Sequence, residues 1–476
     1  MKQPLFLLLL IIVIQSCTTD APTTTTPPLS NDKALKLDTL FEELYREGAF
    51  NGNVLVAEKG TIIFEKSYGL ANEQTKEPLN KHTVFELASV SKPFTAMGIV
   101  LLAKKGKVAY DDMISKYIPE LNDYKGITIK HLLIHTSGLP DYMQLAEEHW
   151  DKTKMATNED MINLFTQFKP AVEFAPNEHW DYSNTGYLLL ATIIERVSGL
   201  SFGEYLQENI FTPLDMKNSF VYRRRFQPRT VQNYAQGYIL AEDSNKKILP
   251  DELGTDDYSV YLDGIVGDGM VNSNTHDLLK WDRALYGNSL IDEEDRRLIF
   301  SSYPTKDGEE TDYGFGWTVD STETYGKVVS HAGGWAGYRT YIERNLDNDK
   351  TIIILQNNSL PATKTPKKNT RRIVYEQAVE KPIKLANIIL QLYAGKYLNE
   401  KQKEKEILFE NDKLYVPMSP DFKVELIPVS QTKFIVDGFS PEVTYTFTVN
   451  EATGEVEQYR VQQVAQGIDR TAKRIP

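Results

Sequence analysis

Apolar residues at helical spacing mark the first ordered part of the chain. They recur with this spacing between residues 33 and 47, which predicts an amphipathic helix. The pattern then changes to short apolar runs at 53–58 and 61–68, separated by Lys59-Gly60. Two such runs around a short turn predict a β-hairpin.

Strand-like patterns return much later, at 327–330, 339–344 and 351–356, where β-branched residues concentrate. The stretch before them, up to about residue 286, has mainly helical periodicity. We therefore predict an α/β (α+β) fold. One antiparallel sheet would be built from both ends of the domain, with helices inserted between them.

The last part of the chain has a different pattern. From residue 392 onward it consists of short alternating runs, such as 443–449, where apolar residues alternate with threonines. This pattern favours a small antiparallel β domain. Residues 360–384, rich in Lys, Arg, Pro and Thr, predict a connector.

The N-terminus has the pattern of an export signal. Lys2 precedes an apolar run at 5–14, which is shorter than the roughly 20 residues of a membrane-spanning helix and suits a secretory signal. Cys17 follows Ser16, and this arrangement resembles the lipobox of bacterial lipoproteins, whose cysteine is lipidated. The alternative is an ordinary signal peptide with an incidental cysteine. The Thr/Pro-rich residues after Cys17 predict an extended tether.

These patterns predict a division of the chain into five parts. They are a signal peptide at 1–16, a tether at 17–32, a catalytic domain at 33–359, the connector at 360–384 and the β domain at 385–476.

Composition narrows the functional classes. The chain has 476 residues, which is too long for one compact core, and its net charge of -13 argues against a nucleic-acid partner. Cys17 is the single cysteine, so the mature fold does not rely on disulfides.

The candidate chemistry centres on Ser89 and Lys92, at the start of a predicted helix in which Pro93 fits only the first turn. Their spacing puts both side chains on one face of that turn. A serine oxygen with an amine in reach is a nucleophile with a proton acceptor. The alternative is a helix cap beside a solvated lysine.

Two further motifs carry reactive groups. Tyr182 lies on a predicted loop before a Leu- and Ile-rich helix, and its phenol is a candidate base toward Ser89; the alternative is a tyrosine that caps the helix. His331 precedes Gly333 on a predicted strand, where glycine permits close approach of a ligand. A strand N–H there, with the Ser89 N–H, would form an oxyanion hole. The alternative is a histidine before a bulge.

Competing chemistries lack their motifs in this sequence. It has no Gly-x-Ser-x-Gly, which disfavours an α/β-hydrolase, and its scattered histidines disfavour a zinc site. Residues 135–138, His-Thr-Ser-Gly, place another serine near a histidine, and we interpret them as a structured turn.

Taken in order, the motifs resemble the serine β-lactamase-related family, which includes class C β-lactamases, DD-peptidases and related esterases. They are Ser89-Val90-Ser91-Lys92, the stretch 131–139, Tyr182-Ser183-Asn184, Pro213-Leu214-Asp215-Met216, Gly267-Asp268-Gly269-Met270 and His331-Ala332-Gly333. The resemblance covers about residues 33–358 and implies an α/β sandwich with an inserted helical subdomain. The C-terminal part is similar to a small β-barrel module often appended to this family. His331 stands where many members carry a lysine.

The resemblance implies two-step acyl transfer without metal or cofactor. Ser89 would attack an ester, amide or lactam carbonyl, and either Lys92 or Tyr182 would take its proton. Asn184, His331 and Gly333 would bind or orient the substrate, and the N–H groups of Ser89 and Gly334 would hold the oxyanion.

The expected function is that of a serine hydrolase in the cell envelope, DD-peptidase- or esterase-like, attached to the membrane through a lipid on Cys17. Its partners would be peptide or ester substrates. β-Lactamase activity is one alternative, and a non-catalytic binding or sensor lipoprotein is another.

Overall fold

The computed structural model describes residues 32–241, 246–379, 381–419, 422–436, 443–450, 452–463 and 468–475. The predicted signal peptide, Cys17 and the tether up to residue 31 lie outside the described residues. In the described ranges, no helix is both long and apolar enough to cross a bilayer.

The described α-helices are α1 (Asp32–Arg46), α2 (Lys92–Lys104), α3 (Ile129–Leu133), α4 (Tyr142–His149), α5 (Asn158–Phe168), α6 (Asn184–Ser198), α7 (Phe202–Leu206), α8 (Tyr258–Tyr261), α9 (Thr275–Ala284), α10 (Glu293–Ile299), α11 (Lys367–Val374) and α12 (Asn387–Tyr393).

The described strands are β1 (Gly52–Glu58), β2 (Thr61–Tyr68), β3 (Leu70–Asn72), β4 (Glu77–Pro78), β5 (Phe85–Glu86), β6 (Phe220–Val221), β7 (Ile239–Leu240), β8 (Lys247–Ile248), β9 (Val271–Ser273), β10 (Thr318–Thr322), β11 (Gly326–Trp335), β12 (Tyr338–Asn345), β13 (Lys350–Gln356), β14 (Gly395–Asn399), β15 (Glu404–Glu410), β16 (Lys413–Ser419), β17 (Phe422–Pro428), β18 (Lys433–Val436), β19 (Val443–Val449), β20 (Val456–Gln463) and β21 (Ile468–Arg474).

A six-stranded antiparallel sheet in the order β10-β11-β12-β13-β1-β2 carries the larger part of the fold. Its strands come from both ends of this part, because β1 pairs with β2 on one side and with β13 on the other. The predicted sheet is therefore confirmed, and so is the amphipathic helix before it, which is α1.

The sheet is covered on both faces. Leu55 and Ala57 of β1 belong to the large core that includes the apolar residues of α2 and α6. Val54 and Val56 face a second core, which they share with Phe41 of α1. A strand buried on both faces has a continuous apolar run rather than alternation.

The predicted connector contains a packed helix, α11. Its Ile373 and Val374 are buried in the second core beside α1. On another side of α11, the Arg371 guanidinium pairs with the Glu343 carboxylate of β12 at 2.6 Å. Residues 367–374 therefore lie against the sheet.

The C-terminal strands β14 to β21 form a closed antiparallel barrel. Pairing of β14 with β21 completes the ring and removes the free sheet edges. Tyr397, Phe434, Phe447 and Tyr459 fill its core. The expected small β domain is thus an eight-stranded barrel.

Candidate active site

Ser89 lies in a 3₁₀ turn, Ala88–Ser91, that leads directly into α2 at Lys92. Pro93 occupies the first helical turn, where its missing N–H leaves no helical hydrogen bond unmade. Ala88, just before Ser89, has a φ of 49°. This left-handed conformation is uncommon for a residue with a side chain, and backbone strain of this kind is often found at functional sites.

Gly333 packs against the Ser89 turn. A Cβ atom on Gly333 would lie 2.2 Å from the Thr340 Oγ1 and 2.3 Å from the Leu87 carbonyl oxygen. Thr340 also donates a hydrogen bond of 2.6 Å to that carbonyl. A glycine is therefore required for β11 to approach the turn this closely, and Gly333 supports the turn from behind.

Lys92 is fully buried behind Ser89. Its Nζ donates hydrogen bonds to the Ser89 Oγ at 3.2 Å, to the Asn184 Oδ1 at 2.9 Å and to the Asp268 carbonyl oxygen at 3.0 Å. Asn184 is the first residue of α6, and its amide nitrogen lies 3.4 Å from the Asp141 carboxylate. The structure thus brings Ser89, Lys92 and Asn184 together.

Tyr182 covers another side of the Lys92 amine. The Nζ atom lies 4.9 Å from the centre of the Tyr182 ring and 5.6 Å from that of the buried Tyr187 ring. Tyr182 is 36% exposed. Its hydroxyl has no hydrogen-bond partner among the residues that the structure describes.

His135 holds the loop that carries Tyr182. The Asp181 N–H donates to the His135 carbonyl oxygen, and the Ser183 N–H donates to the His135 ring Nδ1, both at 3.0 Å. His135 therefore accepts hydrogen bonds from the N–H groups of the two residues that flank Tyr182. Burial and the nearby Lys92 charge lower the pKa of His135 well below its usual value, which keeps Nδ1 available as an acceptor.

The sequence alone indicates only a structured turn at His135, without a role at the site. The one feature of the sequence that points to His135 is the motif His-Thr-Ser-Gly at 135–138. In the structure, His135 has a φ of 61°, and Gly138 follows in the same left-handed region. That turn brings the ring under the Tyr182 loop.

The His331 side chain is buried. Its Nε2 accepts a hydrogen bond from the Tyr313 hydroxyl at 2.9 Å, and its Nδ1 donates to the Ala332 carbonyl oxygen at 2.7 Å. These partners define a neutral ring with its proton on Nδ1. Burial, with a contribution from the Lys92 charge, lowers the pKa of His331 to about 3. Both ring nitrogens therefore have partners within the protein, and a role of His331 in orienting the substrate stays a prediction.

A cavity of about 600 Å³ opens in front of Ser89. Its lining includes Ser89, Asn184, Gly334, Trp335 and Tyr258. The pairing of β10 with β11 ends at Ser330, so the strand edge around Gly334 is not covered by β10. Over the described ranges, no group of three or more His, Cys, Asp and Glu side chains is arranged to hold a metal ion.

A family model described as beta-lactamase matches residues 37–377. The chain belongs to the beta-lactamase family. It is a serine hydrolase of that family, and Ser89, Asn184 and Gly334 of its motifs line one cavity.

Individual relatives agree with this assignment. The chain is 41% identical over 428 residues to penicillin-binding protein 4* of Bacillus subtilis (strain 168). The matched region covers 88% of this chain and 95% of that protein. The octameric penicillin-binding protein homologue from Pyrococcus abyssi has a TM-score of 0.65 at 22% identity and covers 93% of this chain and 100% of that chain.

A second solved structure, D-amino acid amidase from Ochrobactrum anthropi SV3 complexed with D-phenylalanine, has a TM-score of 0.59 at 21% identity. It covers 72% of this chain and 97% of that chain. At these identities, both solved structures show the fold alone.

Proposed function

We propose that this serine hydrolase forms an acyl-enzyme at Ser89 with peptide, amide or ester substrates of the cell envelope. The observation that carries the proposal is the 3.2 Å hydrogen bond between the Lys92 Nζ and the Ser89 Oγ at the wall of the cavity. The names of the relatives, a penicillin-binding protein and a D-amino acid amidase, support substrates of the DD-peptidase or amidase type.

In the acylation step, the Ser89 Oγ bonds to the substrate carbonyl carbon and its proton passes to Lys92 or Tyr182. The acceptor has to be the lysine amine or the tyrosine phenolate. Either group can then return the proton to the departing amine or alcohol as the scissile bond breaks. Asn184 holds the Lys92 amine in place through its 2.9 Å hydrogen bond.

In this proposal, the N–H groups of Ser89 and Gly334 donate hydrogen bonds to the negatively charged oxygen of the tetrahedral intermediate. Each such donor contributes roughly 3 to 4 kcal/mol to the transition state. Water then attacks the acyl-enzyme, the acid leaves, and Ser89 regains its proton. In this scheme, Gly333 and His331 support the walls, Gly333 through the Ser89 turn and His331 through Tyr313.

Placement at the membrane is part of the proposal. The export pattern and the penicillin-binding relative support a location in the cell envelope. We infer that Cys17 carries a lipid and that the 17–32 tether joins it to a catalytic domain at 33–359, with the connector at 360–384 and the β domain at 385–476. Mass spectrometry of the membrane fraction would show the lipid on Cys17, and a Cys17→Ala variant would leave that fraction.

Intact-mass measurement tests the acyl-enzyme. The purified protein is mixed with an activated ester, an N-acylated D-amino acid peptide or a penicillin, and quenched in acid. We expect a mass increase of one acyl group, which is absent in Ser89→Ala and present in Ser321→Ala, a control on an exposed serine of β10. The absence of any Ser89-dependent adduct with all three reagents would contradict the proposal and favour a non-catalytic binding protein.

β-Lactamase activity is the second candidate, favoured by the description of the matching family model. The penicillin adduct decides it. An adduct that decays with release of hydrolysed penicillin indicates a β-lactamase, whereas a persistent adduct indicates a penicillin-binding enzyme with other natural substrates.

A further inference from the structure

Glu86 places a carboxyl group on the wall of the catalytic cavity. It belongs to β5 and comes three residues before Ser89, so the two Cα atoms are at most about 11 Å apart. Phe85, the preceding residue, is fully buried in the large core, and alternation along the strand turns Glu86 to the other side. The Glu86 side is also buried, because the residue is only 9% exposed. The proposed acyl transfer leaves this carboxyl without a role.

The Glu86 carboxyl has no hydrogen-bond donor and no ion pair among the described residues. Asn272 lies opposite Glu86 in the register of β5 and β9, and the side chains of such a pair lie on one face. The Asn272 Oδ1 is buried and also lacks a donor within the described part of the chain. A buried acceptor without a donor is costly. A bound group with N–H donors would therefore supply what the protein lacks at this point.

The charges around Glu86 leave an excess of negative charge when its carboxyl is ionised. The groups that face it are those of Asp263, Arg224, Arg225, Tyr234 and Tyr338. Both guanidinium groups pair with the Asp251 carboxylate, and one of them also pairs with Asp263. Three carboxyl groups thus share two guanidinium groups. Burial and the nearby Asp263 charge raise the pKa of Glu86 to about 7, because both disfavour its ionised form.

The cavity is the part of the site that is left for the acyl group of the substrate. The leaving group has to lie near Lys92 and Tyr182, the two candidates for returning its proton, and neither of them belongs to the cavity lining. The other carboxyl and guanidinium groups of the lining are those of Asp257, Asp268 and Arg339. Carboxyl groups therefore outnumber cations on this wall, which favours an acyl group with a positive charge near Glu86.

We propose that the ionised Glu86 carboxylate binds a protonated amine on the acyl part of the substrate, and that protonation of Glu86 removes this preference. Above about pH 7 the enzyme selects cationic acyl groups, and at lower pH it accepts cationic and neutral ones alike. The inference rests on the proposed function, because it assumes acylation at Ser89. Glu86 is a specificity-determining residue in this account.

A rigid pair of esters tests this selectivity. They are the p-nitrophenyl esters of trans-4-aminocyclohexanecarboxylic acid and trans-4-methylcyclohexanecarboxylic acid, in which an ammonium and a methyl group occupy the same position. The amine has a pKa near that of lysine, about 10.4, so it keeps its charge up to pH 8. Release of p-nitrophenol is followed between pH 5.5 and pH 8, with Ser89→Ala as the blank.

The measured quantity is the kcat/KM of the ammonium ester divided by that of the methyl ester. Any pH dependence that the two esters share cancels in this ratio. We expect the ratio to be about 10- to 100-fold higher at pH 8 than at pH 5.5, because a hydrogen bond to a charged group forms only when Glu86 is ionised. The midpoint of the change should lie near pH 7.

Variants locate the effect at Glu86. Glu86→Gln keeps the shape of the side chain and removes the charge, so its ratio should stay near the wild-type value at pH 5.5 throughout. Glu86→Asp keeps the charge on a shorter side chain and should retain part of the pH dependence. Glu323→Gln, at an exposed glutamate between β10 and β11, is the matched control and should follow the wild-type curve. Melting temperatures show whether each variant is folded.

The wild-type protein alone can overturn the role of Glu86. If both esters are hydrolysed at Ser89 and the ratio is the same at pH 5.5 and pH 8, that role is wrong while the proposed function stands. An equal rise of the ratio with pH in folded Glu86→Gln leads to the same conclusion. Failure of both esters to acylate Ser89 would contradict the proposed function and this inference together.

Discussion

Lys92 and His331 are both buried basic residues near Ser89, and the protein surrounds them differently. Three oxygen atoms lie within hydrogen-bonding distance of the Lys92 Nζ, and one of them is the Ser89 Oγ. The His331 ring instead lies between the Tyr313 hydroxyl and its own main chain, and it is neutral. Both side chains are buried, so the partners around each nitrogen distinguish them: the Lys92 amine contacts the Ser89 hydroxyl, whereas the His331 ring contacts only Tyr313 and its own main chain.

The largest effect is expected on the lysine side. Lys92→Met keeps the length of the side chain and removes the amine that contacts the Ser89 Oγ at 3.2 Å, which is one of the two candidate proton acceptors. We expect acylation of Ser89 to slow by about 100- to 10,000-fold, measured as the rate of adduct formation with an activated ester. Lys105→Met, an exposed lysine just after α2, is the control. Acylation at the wild-type rate in Lys92→Met would remove the distinction between the two sides.

A smaller effect is expected at His135, which accepts hydrogen bonds from the loop that carries Tyr182. His135→Phe keeps a flat ring but leaves the Ser183 N–H without its acceptor, so the Tyr182 loop loses one of its two hydrogen bonds to residue 135. We expect kcat/KM to fall about tenfold, in line with one lost hydrogen bond of about 1 to 2 kcal/mol.

Measuring both kcat/KM and the melting temperature of His135 variants distinguishes a role in positioning the Tyr182 loop from a role in stability. His135→Gln offers an amide oxygen to the same N–H and should recover part of the loss, whereas exposed His82→Phe should behave as the wild type. A drop in melting temperature without any change in kcat/KM would show that His135 supports only the fold.

The smallest effect is expected on the histidine side, in stability rather than in rate. The pKa of His331 is about 3 in the folded protein and about 6.5 in an unfolded chain. Between these values the unfolded state binds the extra proton, so stability falls as pH drops from about 6.5 toward 3, by up to about 1.4 kcal/mol per pH unit. His331→Gln should lose less stability than the wild type between pH 7 and pH 4, measured by thermal unfolding. Parallel curves for the two proteins would indicate a charged His331.

Local patterns predicted much of the fold. The spacing of apolar residues in α1, the hairpin of β1 and β2, and Pro93 at the start of α2 depend on neighbouring residues, so the sequence shows them directly. Closure of the barrel depends on the pairing of β14 with β21, which are more than 60 residues apart. Alternation within single strands predicts a β domain but does not define that pairing.

The candidate site likewise contains contacts that the sequence predicts and contacts that only the folded chain creates. The spacing of Ser89 and Lys92 within one turn predicts their contact, because both belong to the same local structure. The Asp268 carbonyl that accepts from Lys92 is a main-chain atom, and only the folded chain brings it there. Glu86 lies opposite Asn272 through the register of two strands, and His135 reaches Ser183 through a left-handed turn.

Mapping of the acyl adduct tests the central claim most directly. The wild-type protein and Lys92→Met are treated with the same activated ester for the same time, quenched in acid, digested and sequenced by mass spectrometry. We predict one acyl group on Ser89 in the wild-type protein and little or none in Lys92→Met. Acylation of a different residue would contradict the account, and equal acylation of Ser89 in both proteins would exclude Lys92 as the proton acceptor.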